Sequence, residues 1–146
     1  MKVSKSSKPA ARKRPPAKSA DPSPIGARSA EVVLDVDVEK GRVHLVLANC
    51  GDAVATDVQV KFSRVLVGLA GSLRVSDLPI FTKLGLLRPG RAVRIFWDAA
   101  SSLLAQRGQA EPFVATVSWS ERSGSRHQAD YHHDLSIYRQ LPEALD

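Results

Sequence analysis

The feature that most constrains the fold of this chain is an alternation of apolar and polar residues that begins after Glu31. In the first such run, apolar residues occupy every second position and acidic residues fill most of the positions between them. Successive side chains of a β-strand point to opposite faces of the sheet, whereas a helix would need apolar residues three and four positions apart. The run therefore predicts a half-buried strand whose inner face is formed by Val32, Leu34, Val36 and Val38.

Five further segments show the same alternation, and polar turn residues separate them. The turn at 39–42 contains Gly41 and predicts a β-hairpin between the first two strands, and further turn signals lie at 49–52, 88–91 and 121–126. The inner faces of the five segments are predicted to hold Val43, Leu45 and Leu47; Val58, Val60 and Phe62; Val93, Ile95 and Trp97; Phe113, Ala115, Val117 and Trp119; and Ala129, Tyr131, His133, Leu135 and Ile137.

Two regions do not follow this alternation. Residues 65–87 fit neither period for long, because glycines and Pro79 interrupt the apolar residues, and we expect a crossover with short extended pieces and a helical turn. Asp98 is predicted to cap a short helix over residues 99–106 that ends near Gly108.

The six strands, with a seventh in the crossover, predict an all-β fold. The number and spacing of the strands favour an immunoglobulin-like antiparallel β-sandwich of about seven strands over residues 29–140, and a small β-barrel is the alternative. Residues 141–146 would form a short C-terminal tail, and residues 1–28 a separate N-terminal tail.

The charge of the chain is concentrated at its N-terminus. Residues 1–28 hold eight basic residues and one acid, a net charge of +7, whereas the other 118 residues have a net charge of −1. Between Val3 and Ile25 there is no large aliphatic or aromatic residue, so this tail is predicted to be disordered. Its candidate contacts to an anionic partner are Lys2, Lys5, Lys8, Arg12, Lys13, Arg14 and Lys18.

The sequence predicts a chain without a membrane span and with a cytoplasmic location. The tail has only alanines where an export signal needs an apolar run, and its prolines oppose the amphipathic helix of a transit peptide.

The one cysteine, Cys50, cannot form a disulfide within the chain and is interpreted as a small residue at the end of a strand.

We find no catalytic, cofactor-binding or metal-binding motif in the sequence, and we expect a protein that is not an enzyme and uses no cofactor. The glycines and serines match neither a phosphate-binding loop nor a hydrolase nucleophile turn. One row of side chains is a candidate metal site: Asp130, His132 and Asp134 are predicted to share the outer face of the last strand, near His127. A single strand rarely closes a tetrahedral site, so a solvated face is favoured there.

The turn Asn49-Cys50-Gly51-Asp52, followed by Ala55, Val58 and Val60, resembles bacterial immunoglobulin-like domains of the CARDB (cell-adhesion-related) type. A later turn, Leu87-Arg88-Pro89-Gly90, adds to this similarity. The segment from Val117 to Leu135 is also similar to uncharacterised bacterial proteins that end in a hairpin and an Asp-Leu strand, although Trp119 and Glu121 replace residues of that pattern. The resemblance implies an immunoglobulin-like fold and a non-catalytic interaction role.

The sequence leaves two functional hypotheses. In the first, the sandwich is an interaction or accessory module that binds a protein partner through an exposed sheet edge or through the 65–87 crossover. In the second, the tail binds RNA or DNA without sequence specificity, and an anionic lipid, an acidic protein or a merely solubilising role are its alternatives.

Overall fold

The computed structural model describes residues 28–106 and 108–140, and these residues form an antiparallel β-sandwich. The predicted N-terminal tail, apart from Arg28, and the predicted C-terminal tail at 141–146 lie outside the described residues. The strands are β1 Val32–Glu39, β2 Arg42–Asn49, β3 Ala55–Phe62, β4 Val67–Gly68, β5 Leu73–Arg74, β6 Leu84–Leu87, β7 Ala92–Ala99, β8 Phe113–Ser120 and β9 Arg126–His133.

Seven of these strands build the two layers of the sandwich. One sheet has the order β1-β2-β7 and the other has the order β6-β3-β8-β9, with every neighbouring pair antiparallel. β4 and β5 form a small two-stranded sheet of their own within the crossover. The predicted immunoglobulin-like sandwich of about seven strands is confirmed.

The alternation of the sequence becomes the core between the two sheets. Along β8 the burial alternates strictly, because Phe113, Ala115, Val117 and Trp119 face the opposite sheet. The predicted β1–β2 hairpin forms with Val36 opposite Leu45, and its two-residue turn places Lys40 and Gly41 at positive φ.

The turn between β2 and β3 is held by one buried amide. The Asn49 side chain accepts from the backbone N–H groups of Glu31 and Gly51, and its Nδ2 donates to the carbonyls of Ala53 and Leu87 at 2.8 and 3.0 Å. Burying an amide is costly unless its polar atoms are paired, and here both the oxygen and the nitrogen find backbone partners. Asn49 thus ties the start of β1 to the end of β6.

The prediction that Asp98 caps the following helix was wrong. β7 continues through Ala99, which occupies the N-cap position of α1 Ala100–Ala105 and makes no side-chain capping bond. The register between β2 and β7 shifts at Val43 and His44, so both Trp97 and Asp98 are buried and the alternation is lost. A bulge of this kind leaves no signal in the apolar period.

The last predicted strand was too long. β9 ends at His133, and residues Leu135–Tyr138 form a 3-10 helix that begins after Asp134. Asp134 accepts from the backbone N–H of Ser136 at 3.0 Å and from its hydroxyl at 2.6 Å, which turns the chain out of the sheet. Leu135 is consequently buried, whereas Ile137 is exposed.

The crossover forms as predicted, from short extended pieces and 3-10 turns. Its 3-10 turns span Leu69–Gly71, Val75–Asp77 and Pro79–Phe81, and β6 supplies the seventh strand of the sandwich. Within the described residues, no helix is long and apolar enough to cross a membrane.

Candidate interaction surface

The free edge of β1 is partly covered by two side chains of β9 and by one of its own. The Tyr131 hydroxyl donates to the carbonyl oxygen of Val32 at 2.9 Å, and His133 Nε2 lies 2.9 Å from that of Leu34. The Asp35 carboxylate accepts from the N–H of Val36 at 2.8 Å. These contacts occupy peptide groups that an incoming strand would need, so β1 is a poor site for strand addition.

The same contacts indicate which way the peptide groups of the regular part of this sheet point. The carbonyls of Val32 and Leu34 point away from β2, and peptide groups of an antiparallel strand alternate between its two neighbours. At the other side of β2, Asn49 exchanges bonds with Gly90 and Arg91, so Asn49, Leu47 and Leu45 turn their peptide groups toward β7. In β7, the peptide groups of Val93 and Ile95 lie opposite those of Leu47 and Leu45 and point toward β2.

The peptide groups left without a strand partner are therefore those of Ala92, Arg94 and Phe96. All three residues are exposed, and β7 is an outer strand of its sheet. We call residues 92–96 the β7 edge. It offers three N–H and three C=O groups in a row, the pattern that an added strand recognises.

A strained turn stands where the β7 edge ends. Leu69 and Ala70 have φ of 51° and 56°, values that cost side chains other than glycine of order 1–3 kcal/mol each, and Gly71 follows at 96°. Leu69 nevertheless exposes 45% of its surface. We call residues 69–71 the Leu69 turn. Packing of the core does not explain why Leu69 is exposed to solvent on a strained backbone.

Trp97 and Asp98 hold the Leu69 turn in place. The indole Nε1 of Trp97 donates to the carbonyl of Val67 at 2.9 Å, and Gly68 packs directly on the Trp97 carbonyl. The carboxylate of Asp98, only 6% exposed, accepts from the N–H of Ala70 at 2.9 Å, from that of Ala99 at 2.8 Å and from the hydroxyl of Ser102 at 3.2 Å. Asp98 therefore does not cap α1, but its carboxylate anchors the Leu69 turn to β7.

The outer face beside the β7 edge carries an aromatic and basic cluster. The ring of Phe96, 37% exposed, lies edge-on to His44 at 5.5 Å, and the Arg42 guanidinium stands 5.7 Å from its centroid. Arg94 reaches across β2 to Asp37 at 2.6 Å and also contacts His44 Nδ1 at 3.3 Å. Phenylalanine and arginine are enriched in protein interfaces.

The surroundings of His44 in this cluster disfavour its charged form. Burial first, and then the Arg94 cation, lower the pKa of His44 below its usual value. An arginine can only donate, so Nδ1 accepts from Arg94 and the ring proton is on Nε2. The positive charge of this face is carried by the two arginines.

Basic residues also flank the β7 edge along the chain. The stretch 78–97 contains no acidic residue and holds four exposed cations: Lys83, Arg88, Arg91 and Arg94. Apart from Asp98, which is buried near the end of β7, the acidic residues of this layer lie on β1, at Asp35, Asp37 and Glu39. The near-neutral folded part therefore has a basic side at β7 and an acidic side at β1.

The row weighed as a metal site does not form. Asp130 and His132 share the exposed face of β9, where the Asp130 carboxylate accepts from Thr116 at 2.8 Å, but Asp134 has left the strand to bind Ser136. Hydrogen bonds from Ser136 lower the pKa of Asp134. Among the described residues, no group of three or more His, Cys, Asp or Glu side chains is placed to hold a metal ion.

The other singled-out residues lie apart from the β7 edge. His127 turns inward, stacks on Trp119 at 5.6 Å and lies 3.4 Å from a carboxylate oxygen of Glu121. Cys50 is an exposed free thiol in the β2–β3 turn. The proposed anionic-partner residues Lys2, Lys5, Lys8, Arg12, Lys13, Arg14 and Lys18 lie outside the described residues.

Two residues of this surface were missed by sequence reasoning. The period of two identifies the inner row of this strand, which includes Ile95 and Trp97, and it gives no role to Phe96 on the opposite face. An aromatic residue at a polar position of an alternating strand is nevertheless a usable signal. The period places such a residue on the outer face, where polar residues are expected. Leu69 had no such signal, since only the structure shows its positive φ.

No curated protein matches the chain. A family model matches residues 18–139, which is most of the chain, and its description is "Domain of unknown function (DUF8453)". The protein therefore belongs to the DUF8453 family.

Proposed function

We propose that this protein is a non-enzymatic interaction or accessory module whose immunoglobulin-like sandwich binds a protein partner at the β7 edge and the adjoining Leu69 turn. The observation that carries the proposal is the asymmetry of the three-stranded sheet. On one outer strand, β1, the carbonyls of Val32 and Leu34 and the N–H of Val36 are occupied by side chains, whereas β7 leaves three residues uncovered. Natural sheets often protect their outer strands from pairing, so an edge left open beside exposed apolar residues is a candidate contact.

The β7 edge and the Leu69 turn correspond to the two binding locations that the sequence indicates. An exposed sheet edge and the 65–87 crossover were alternatives, and the anchoring of Ala70 on Asp98 makes them neighbours. Loops held on a rigid sandwich are a common place for binding residues. Strain at Leu69 and Ala70 supports the same interpretation, because strained backbone clusters at functional positions.

We propose further that the domain is related to bacterial immunoglobulin-like domains of the CARDB type. The turn that carries the resemblance has clear structural tasks here: Asn49 makes four hydrogen bonds to the backbone. Gly51 packs so tightly on residues 29–31 that a Cβ would stand 2.6 Å from the nitrogen of Glu31. Such demands support reading the turn as a fold motif.

Site-specific photo-crosslinking in cells of the source organism tests the interaction role. A photoreactive phenylalanine analogue in place of Phe96 should give a defined adduct with a second protein, and so should one in place of Leu69. The same analogue at Gln128, exposed on the outer face of β9, is the matched control and should not. Identical adducts at all three positions, or none at Phe96 and Leu69, would contradict the proposal.

The charge distribution supports a second candidate function, in which the tail binds a nucleic acid or another polyanion. Eight of the 21 basic residues lie in residues 1–28, and Arg12, Lys13 and Arg14 form its densest cluster. Such contacts release counterions, so the affinity for mixed oligonucleotides should fall steeply with salt. Replacing these three residues by alanine should weaken binding and flatten the salt dependence, whereas unchanged binding would refute this function.

A further inference from the structure

We infer that the partner segment is an extended strand of alternating acidic and aliphatic residues that adds to β7 as a fourth strand of the three-stranded sheet. This inference rests on the proposed interaction role and specifies the chemistry of the partner. It follows from the direction of the peptide groups, from the two faces that an added strand would continue, and from the charge around the β7 edge.

The backbone of β7 sets the length of the added strand. Ala92, Arg94 and Phe96 turn their peptide groups away from β2, and the Leu69 turn covers the strand from Trp97 onward. Three such residues allow up to six hydrogen bonds to an extended chain of about five residues. The β6 edge is less suitable, because that strand has only four residues and the carbonyl of Leu87 already accepts from Asn49.

The two faces of β7 set the alternation. Arg94 and Phe96 lie on the outer face, whereas Val93 and Ile95 are partly buried and pack against the core. An added strand would place every second side chain beside Arg94 and the remaining ones beside Val93 and Ile95. Polar residues suit the first set and aliphatic residues suit the second.

Charge decides which polar residues these are. Lys83, Arg88, Arg91 and Arg94 lie before and within the β7 edge along the chain, and the stretch that contains them has no acid. Of the four, only Arg94 is paired with a carboxylate among the described residues. Carboxylates on the partner would pair with these basic side chains and speed the association of the two proteins. Lysines at the same positions would be repelled.

A second copy of this chain fits the edge poorly. Two β7 strands paired about a twofold axis at Arg94 would set this residue opposite its own copy, and each would bring its own Arg88 and Arg91. Like charges directly opposite one another destabilise a strand pair. The charge pattern therefore opposes a β7–β7 pair, and the side chains that cover β1 oppose a β7–β1 pair of two copies.

Peptide binding to the full chain tests this inference. The probe is a fluorescent seven-residue peptide in which valine and glutamate alternate, and binding is followed by anisotropy at low salt. A peptide of the same composition with its glutamates and valines in two blocks should attach to the basic tail equally well but should not match β7. We expect the alternating peptide to bind at least tenfold more tightly than the block peptide, about 1.4 kcal/mol.

Two variants separate backbone pairing from charge. Arg94→Pro removes an N–H that points away from β2, so the sheet keeps its own bonds, and it should abolish the preference for the alternating peptide. Arg94→Ala keeps the N–H and should only reduce the preference. If Arg94→Pro does not fold, amide hydrogen exchange in the unaltered chain replaces it: the peptide should slow exchange at Ala92, Arg94 and Phe96.

The outcomes distinguish this inference from the proposed function. Equal binding of the alternating and block peptides, or equal binding of a peptide with lysine in place of glutamate, would overturn the inference. So would a dimer formed through β7 at the concentrations used, detected by sedimentation. An adduct at Phe96 without a preference for the alternating peptide would leave the interaction role standing and refute the partner chemistry alone.

Discussion

Gly68 lies against the backbone of Trp97 with no room between them for a side chain. A Cβ at Gly68 would overlap the Trp97 carbonyl oxygen and stand 3.0 Å from both Trp97 Cδ1 and Val75 Cγ2. This contact, with the indole bond to Val67, fixes where the crossover meets β7. The position of the Leu69 turn therefore depends on a single glycine.

We predict that Gly68→Ala lowers the free energy of unfolding by about 1–3 kcal/mol, because the crossover must move away from Trp97. Urea denaturation measures the loss. Gly85→Ala is the matched control, since no atom lies within 4 Å of its added Cβ, and it should change stability little. A Gly68→Ala chain as stable as the Gly85→Ala chain would contradict the observed packing.

Removal of the Tyr131 hydroxyl should uncover part of β1. In Tyr131→Phe the carbonyl of Val32 loses its donor, and we expect a loss of about 0.5–1.5 kcal/mol in urea denaturation. Tyr138→Phe serves as control, because its hydroxyl has no hydrogen-bond partner among the described residues. An equal effect of the two substitutions would argue against the covered edge.

Acid should weaken the 3-10 helix that follows β9. The pKa of Asp134 is lowered, chiefly by the hydroxyl and N–H of Ser136, so this group stabilises the fold above its unfolded pKa and the contribution is lost as the pH falls through the folded pKa. Compared with Asp134→Ala, the unaltered chain should lose more stability between pH 5 and about pH 2. Parallel pH profiles of the two chains would contradict this assignment.

Local alternation was sufficient to predict most of the sandwich. The inner rows of β1, β2, β3 and β8 follow from a period of two, and the hairpin turn follows from Gly41. The errors lie where side chains override the period: the bulge before Asp98 and the turn at Asp134. Both depend on hydrogen bonds that an apolar pattern does not contain.

The candidate surface was only partly predictable. A sheet edge and the crossover were named from the sequence, but which edge stays open depends on bonds between Tyr131 and Val32, 99 residues apart. Likewise, Asp98 and Ala70 meet only because β7 bulges. Contacts of such long range are set by the three-dimensional fold.

Residue-resolved amide hydrogen exchange of the free protein reports directly which peptide groups of β7 are bonded, and so whether the β7 edge is open. We predict alternation along the strand: slow exchange at Val93 and Ile95, which face β2, and fast exchange at Ala92, Arg94 and Phe96. Slow exchange at Arg94 and Phe96, equal to that of Ile95, would show that the β7 edge is covered and is not available to a partner strand.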